Sequence, residues 1–348
     1  MLRIGLAGIG FMGWIHYLAY QKAKGAKLVA LCTRDAKKLA GDWRGIQGNF
    51  GPPGEQVDTS GMAKYSDLDR LLDDPNVDLV DLCLPPHLHA DAAIAALKAG
   101  KHVFVEKPMA LTAAECDAMV KAAETAGKQI LVGHVLPLLP EYAFAREAIA
   151  TGKYGKLLGG HFKRVISDPL WLKDFFDPAK VGGPLVDLHV HDAHLIRLLF
   201  GMPAAVTSQG RMRGEVVEYC VSQFQFADPS LVVSAASGVV NQQGRSFTHG
   251  FEIHLEKATL YFDLAVLAGG KLQVTPLTLL DANGNAEHPA LPEGDPMLSA
   301  FEAEIAEVVQ SIETGRTSPI LSGGLARDAI VMCHKQTEAV RSGKTVKV

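Results

Sequence analysis

The sequence lacks several features that would narrow its class. No uninterrupted apolar run reaches membrane-spanning length, because charges or prolines break each one. No CxxC pair occurs among the five cysteines at 32, 83, 116, 220 and 333, so neither a zinc ribbon nor a thioredoxin-type motif is present. Neither sign of charge dominates: Lys and Arg total 34 against 38 Asp and Glu, for a net charge of −4. That balance offers no basic surface for nucleic acid. The chain carries no internal repeat and no low-complexity tract. Its first residues, MLRIGLAGIG, run directly into a strand pattern and lack a secretory signal. With five cysteines read as reduced, a cytoplasmic protein is expected.

The 348 residues, 48% apolar, have material for two cores. The first part alternates strand and helix patterns. Apolar runs at LRIGLAGIG, AKLVALCTR, VDLVDLCLP, KHVFVEK and KQILVGH alternate with helical stretches ending near Gly25 and at about 66–73, 89–99 and 112–126. Residues 41–61 are rich in Gly and Pro and read as a loop. This order predicts right-handed βαβ crossovers and a doubly wound parallel sheet, a Rossmann domain over residues 1–134. Beyond about residue 155, alternating runs recur with turn signals between them and one clear helix at 186–200. Residues 135–348 are therefore expected to form an α+β domain with a large, mostly antiparallel sheet. Two helices, about 297–314 and 323–341, close the chain, the last expected to pack back toward the first domain.

Gly8-Ile9-Gly10-Phe11-Met12-Gly13 is a GxGxxG at the end of a strand and the start of a helix. The first glycine permits the turn, the second lets backbone approach a pyrophosphate, and the third lets helix and strand pack closely. Gly8, Ile9, Gly10, Phe11 and Met12 are thus cofactor-binding candidates. Where an acidic residue would hold the adenosine ribose, the chain reads Cys32-Thr33-Arg34-Asp35. Thr33 followed by Arg34 favours NADP over NAD, while Asp35 falls one or two positions late. Glu106-Lys107-Pro108 ends another strand at the carboxyl edge of the sheet, where open α/β folds bind ligands. A lysine there can hydrogen-bond a substrate hydroxyl and stabilise the developing alkoxide. Leu84, Pro85, His89, Glu106 and Lys107 are the remaining cofactor-side candidates at that edge.

Four stretches together carry a resemblance: GIGFMG, LPPHLHADAAIAALKAGKHVFVEKP, GGPLVDLHVHDAHLIRLLFG and SGGLARDAIVMCHKQTEAVRSGKTVKV. In this combination the sequence resembles the Gfo/Idh/MocA oxidoreductases, over nearly its whole length. The resemblance implies an NAD(P)-binding Rossmann domain and an open C-terminal sheet that often mediates dimers or tetramers. It also implies oxidation of a sugar or cyclitol hydroxyl, or the reverse reduction. The family's EKP lysine falls on Lys107, and the Asp and His of its GG…D…H motif fall on Asp187 and His191.

Asp187, His191 and His194 stand at i, i+4 and i+7, which an α-helix would place on one face. Imidazole titrates near neutrality, so His191 suits the role of acid/base, with Asp187 orienting it. Lysine as proton acceptor, with His191 only binding, is the other assignment. The chain departs from the family by having His at 189 and 194; a metal held by His191, His194 and Asp187 is the alternative to one catalytic histidine, and no metal is expected. Pro137 stands where many relatives have Arg. His134, Lys163, Trp171, Asp187 and His191 are the substrate-binding candidates, with Arg164 beside Lys163. The expected activity is hydride transfer between a nicotinamide and a secondary hydroxyl or carbonyl of a sugar, cyclitol or related small polar molecule. Alternatives are a glycoside-cleaving enzyme that retains its cofactor through transient oxidation, and a non-catalytic NAD(P)-binding regulator.

Overall fold

Short buried strands alternating with helices begin the chain, and the reason lies in the apolar runs. The computed structural model describes all 348 residues, Met1–Val348. Strands β1 (Leu2–Ala7), β2 (Ala26–Cys32), β3 (Ala63–Tyr65), β4 (Leu79–Leu82), β5 (His102–Glu106) and β6 (Ile130–Gly133) form one sheet in the order β3-β2-β1-β4-β5-β6. Every neighbouring pair is parallel. Helices on both faces bury β4 and β6 completely, which is why they read as continuous rather than alternating apolar runs. The strand order reverses between β1 and β4, so the carboxyl ends of these two strands flank a crevice suited to ligands.

The helices of this unit are α1 (Phe11–Lys22), α2 (Ala36–Leu39), α3 (Leu68–Leu72), α4 (His89–Lys98) and α5 (Ala113–Ala126). Helix α5 shows how locally its limits are written. Thr112 and Glu115 form a reciprocal capping box at its start, and Gly127 ends it in the left-handed conformation. The Gly- and Pro-rich stretch after α2 is a loop, as expected, yet it is anchored. Trp43 is fully buried against Trp14 and Tyr17 of α1, and the Trp14 indole donates to Pro52 O at 2.9 Å.

The chain divides into two units that are each discontinuous. The first comprises Met1–Leu139 and Glu293–Arg327; the second comprises Pro140–Pro292 and Asp328–Val348. This differs from a single boundary near residue 134. Helix α8 (Pro296–Thr314) belongs to the first unit, where it packs on α1. The closing helix α9 (Gly323–Ser342) has its first turn in the first unit and the rest in the second.

The second unit opens with α6 (Pro140–Ala150), a helix not expected from the sequence. Its sheet has nine strands: β7 (Leu157–Ser167), β8 (Ala205–Arg213), β9 (Val216–Gln225), β10 (Val232–Val240), β11 (Arg245–Leu255), β12 (Ala258–Leu267), β13 (Lys271–Asp281), β14 (Ala286–Glu287) and β15 (Val346–Lys347). Their order is β14-β13-β12-β11-β7-β10-β9-β8-β15. Only β7 and β10 pair in parallel; the other pairs are antiparallel. Helix α7 (Val190–Phe200) follows a π-helical turn, Leu185–His189. No helix in the structure is long and apolar enough to cross a membrane.

One buried ion pair joins helix α7 to the sheet. Arg164 on β7 donates to Asp192 through Nε at 2.6 Å and Nη2 at 3.2 Å, with both side chains enclosed. Its guanidinium also lies over the Phe247 ring. Removing one partner strands a charge in an apolar interior, which costs far more than an exposed pair. Asp192→Ala is therefore expected to lower unfolding free energy by about 3–5 kcal/mol, read by urea titration. A loss under about 1 kcal/mol would show the pair to be inconsequential.

Candidate active site

The glycine loop is shaped by what a side chain would strike. At Gly8, with φ of +96°, a Cβ would lie 2.3 Å from Cys83 O; at Gly13 it would lie 2.2 Å from Gly8 O. At Gly10 it would meet nothing within 4 Å. Gly8 and Gly13 are thus required for packing, while Gly10 faces open space at the start of α1. No side chain caps this helix and no acid stands in its first turn. Uncapped amides, open space above Gly10 and the positive end of a helix dipole fit a dinucleotide pyrophosphate. Ile9 is buried, and Phe11 is half-buried against Phe50. Met12 is half-buried, so the loop presents backbone rather than charge.

At the end of β2, Thr33 is half-buried and its hydroxyl accepts the Asp35 amide at 3.3 Å. Asp35 Oδ1 accepts from the amides of Lys37 and Lys38 as the cap of α2. Arg34 is exposed beside it. Lys38, which the sequence reading passed over, reaches back into the glycine loop and donates to Ile9 O at 2.6 Å. The signal available was only its place two residues into a capped helix.

The carboxyl edge of β4 and β5 carries the EKP segment. The Lys107–Pro108 bond is cis, and Lys107 is half-buried. Leu84 lies half-buried beside Gly8, and Pro85 is exposed. Two candidates have their side chains turned inward. His89 is fully buried, with Nδ1 2.8 Å from Pro108 O and Nε2 2.7 Å from Leu84 O. Burial lowers its pKa, and the ring braces two backbone segments rather than reaching a ligand. Glu106 also turns inward: Oε1 meets His16 Nε2 at 2.9 Å, and Oε2 accepts the Lys107 amide at 3.1 Å. Each oxygen thus has a protein partner within the interior.

In the second unit Gly182 and Gly183, at φ of +86° and +77°, lead into the π-helical turn. Asp187 and His191 are half-buried, whereas His189 and His194 are fully buried. Asp187 and His191 thus share a half-buried face across the π-helical turn, while His194, one turn further along α7, is enclosed. His189 Nε2 lies 3.1 Å from Gln336 Oε1 and 3.0 Å from its Nε2, and burial lowers the ring's pKa. Other candidates are committed elsewhere. Lys163 pairs with Asp263 at 2.9 Å, Arg164 is spent on Asp192, and His134 is fully buried at the end of β6. Trp171 is 65% exposed after β7, with Leu170 and Leu172 beside it.

Both units match models of one family. Residues 2–134 match the model described as an oxidoreductase family with an NAD-binding Rossmann fold, and residues 142–261 match the GFO/IDH/MocA C-terminal domain. The chain belongs to the Gfo/Idh/MocA oxidoreductases. It is 28% identical over 332 residues to the 1,5-anhydro-D-fructose reductase of Ensifer adhaerens, covering 90% of this chain and 91% of that one. It is 25% identical to the myo-inositol 2-dehydrogenase of Thermotoga maritima, covering 100% and 98%. Among solved structures, a levoglucosan dehydrogenase complex with NADH superposes with a TM-score of 0.79 at 25% identity, covering 100% and 99%. This Gfo/Idh/MocA protein is thus an enzyme of the dehydrogenase and reductase kind.

The open position at Gly10 separates binding from folding. Gly10→Val is expected to keep the wild-type thermal midpoint while weakening NADPH and NADH binding by at least about tenfold, read by fluorescence titration. Gly13→Val should instead fail to fold, since its side chain would occupy the place of Gly8 O.

Proposed function

We propose that the enzyme transfers a hydride between NAD(P) and a secondary hydroxyl, or the matching carbonyl, of a sugar, cyclitol or related small polar molecule. The observation that carries this reading is the selective exposure of the motif residues. Lys107, Asp187 and His191 are half-buried, while the histidines around them are enclosed. The relatives named above act, by their names, on an anhydro sugar and a cyclitol.

A nicotinamide dinucleotide with its pyrophosphate held by the Gly8–Gly13 loop would supply the hydride acceptor in the oxidative direction. Lys107 Nζ donates a hydrogen bond to the reacting oxygen and favours its ionisation. The His191 ring takes the hydroxyl proton as the C–H electron pair departs, and returns it during reduction. Asp187, one turn before His191, orients that ring or binds a neighbouring hydroxyl. Trp171 offers an exposed ring for a sugar face.

NADP is the preferred cofactor in this reading. With Asp35 bound to the amides of α2, the end of β2 presents Thr33 and the exposed Arg34, and Lys38 lies by the loop. A 2′-phosphate meets cations there rather than a carboxylate. The nine-stranded sheet supports a homodimer or homotetramer, since Val221, Val232, Leu272, Val274 and Leu280 are exposed on its strands. Five free thiols fit a reducing compartment such as the cytoplasm.

A panel of sugars, cyclitols and their keto forms, read at the nicotinamide absorbance with both cofactors, tests the activity. Lys107→Ala is expected to lower kcat by at least about 100-fold while cofactor affinity stays near wild type. Full activity in this variant would remove the lysine from the mechanism. Arg34→Ala should lower kcat/KM for NADPH by about tenfold and leave NADH unaffected. An equal effect on both cofactors would refute the NADP assignment.

A further inference from the structure

The interior of the first unit holds ionisable groups that hydride transfer itself does not use. His16, on α1, is fully buried. Its Nδ1 lies 2.9 Å from Asp81 Oδ2 and its Nε2 lies 2.9 Å from Glu106 Oε1. The Tyr20 hydroxyl donates to the same Asp81 oxygen at 2.9 Å. The Cys83 sulfur is 3.3 Å from His16 Nδ1 and 3.5 Å from Asp81 Oδ1. Phe104 stacks on the imidazole at 5.2 Å, and Phe301 closes over it at 5.9 Å. From α8 comes Glu304, fully buried, with no hydrogen-bond partner for either carboxyl oxygen. Glu106, His16 and Asp81 are the charged groups that act on it.

An imidazole facing a carboxylate at each nitrogen donates from both only as imidazolium. Burial opposes that charge, but the Asp81 carboxylate outweighs it and holds His16 well above its ordinary pKa. Burial, reinforced by Glu106, raises Glu304 well above the carboxylate range, so it stands as a neutral acid. Burial likewise keeps Cys83 a thiol. Ionising all three carboxyls would set three negative charges against one positive in an apolar interior, and the neutral Glu304 relieves this. His16, Asp81 and Cys83 are also the one trio whose metal-ligand atoms converge. An imidazolium with both N–H groups donated has no lone pair for a metal, and a thiol is a poor ligand.

Glu106 connects this cluster to the EKP turn. Its Oε1 is held by the His16 ring and its Oε2 by the Lys107 amide. On β6, a Cβ at Gly133 would lie 3.0 Å from Glu106 Oε1, so a side chain there would press on the carboxylate. We propose that His16 is a positioning residue for Lys107, acting as an imidazolium clamped between Asp81 and Glu106, beside a neutral Glu304. The proposal rests on the reading of Lys107 given above.

The test uses the full chain with NADPH and the substrate found in the panel. H16Q keeps hydrogen-bonding capacity but loses the charge. It is expected to lower kcat about 10- to 100-fold with NADPH affinity unchanged, because Glu106 is released and Lys107 moves. E304Q mimics the neutral acid and should keep wild-type kcat at neutral pH. A group whose folded pKa is raised confers stability fully present below its unfolded value and lost as pH rises through the folded one. The wild-type thermal midpoint should therefore fall as pH rises from above about 4.3, the ordinary glutamate value, and E304Q should flatten that fall. E304A should be destabilised at every pH. In nitrogen-15 spectra at about pH 8, a histidine protonated at both nitrogens should be present in wild type and absent from H16Q; should H16Q not fold, that wild-type signal decides. The proposal is overturned if H16Q keeps wild-type kcat while Lys107→Ala is inactive, if E304Q falls with pH as steeply as wild type, or if no doubly protonated ring is found. Should Lys107→Ala stay active, the lysine reading fails and the positioning role with it, while the E304Q and nitrogen-15 arms still judge the charge network.

Discussion

The close approach of α1 to β1 governs much of the first unit. Gly13 lies so near the carbonyl of Gly8 that no side chain fits, and Gly8 is held as tightly against Cys83 O. Two consequences follow from one contact. On one side, the helix start is left uncapped beside the open space at Gly10. On the other, His16 stands one helical turn beyond Gly13 and is pressed onto β4 and β5, where it meets Asp81 and Glu106. The cofactor cradle and the buried charge network are therefore two faces of the same turn.

The second unit solves a similar problem with a different device. A helix carrying Asp187 and His191 must be fixed without enclosing those side chains. The Arg164–Asp192 pair ties it to β7 from within. His249 contributes to the same polar interior: burial, with Arg164 and Lys163 nearby, lowers its pKa to about 3, and the Tyr142 hydroxyl lies 2.7 Å from its Nδ1. Along the π-helical turn and α7, neighbouring histidines have different surroundings. Three histidines in six positions thus differ in burial, His189 and His194 enclosed and His191 half-buried.

Patterns with a strong local cause were legible in the sequence. The glycine loop, the parallel strands and the capped α5 rest on steric or hydrogen-bonding rules that operate within a few residues. The three-residue β3 and the exposed strand β13 were not legible, because one is too short and the other too exposed to show a burial period. Lys107 and His191 were found by motif. What motif could not show was direction. Glu106 and His89 sit at the expected edge but point inward, and Asp35 is diverted by the start of a helix. Asp81 lay within an apolar run, and its partners His16 and Glu304 are 65 and 223 positions away, so no local pattern announced the cluster.

The discontinuity of the first unit has a temporal side. Helix α8, which carries Glu304 and Phe301, belongs with Met1–Leu139 but is encoded after the whole nine-stranded region except β15. On the ribosome the first six strands and α1 emerge long before the segment that covers them. At ordinary elongation rates the delay from residue 139 to residue 304 is on the order of 10–30 s. During that interval the His16 face of α1 lacks Phe301 and Glu304. The nascent sheet must bear a charged, incompletely sheltered interior until its last helix arrives, so completion of the dinucleotide-binding unit is tied to synthesis of nearly the entire chain.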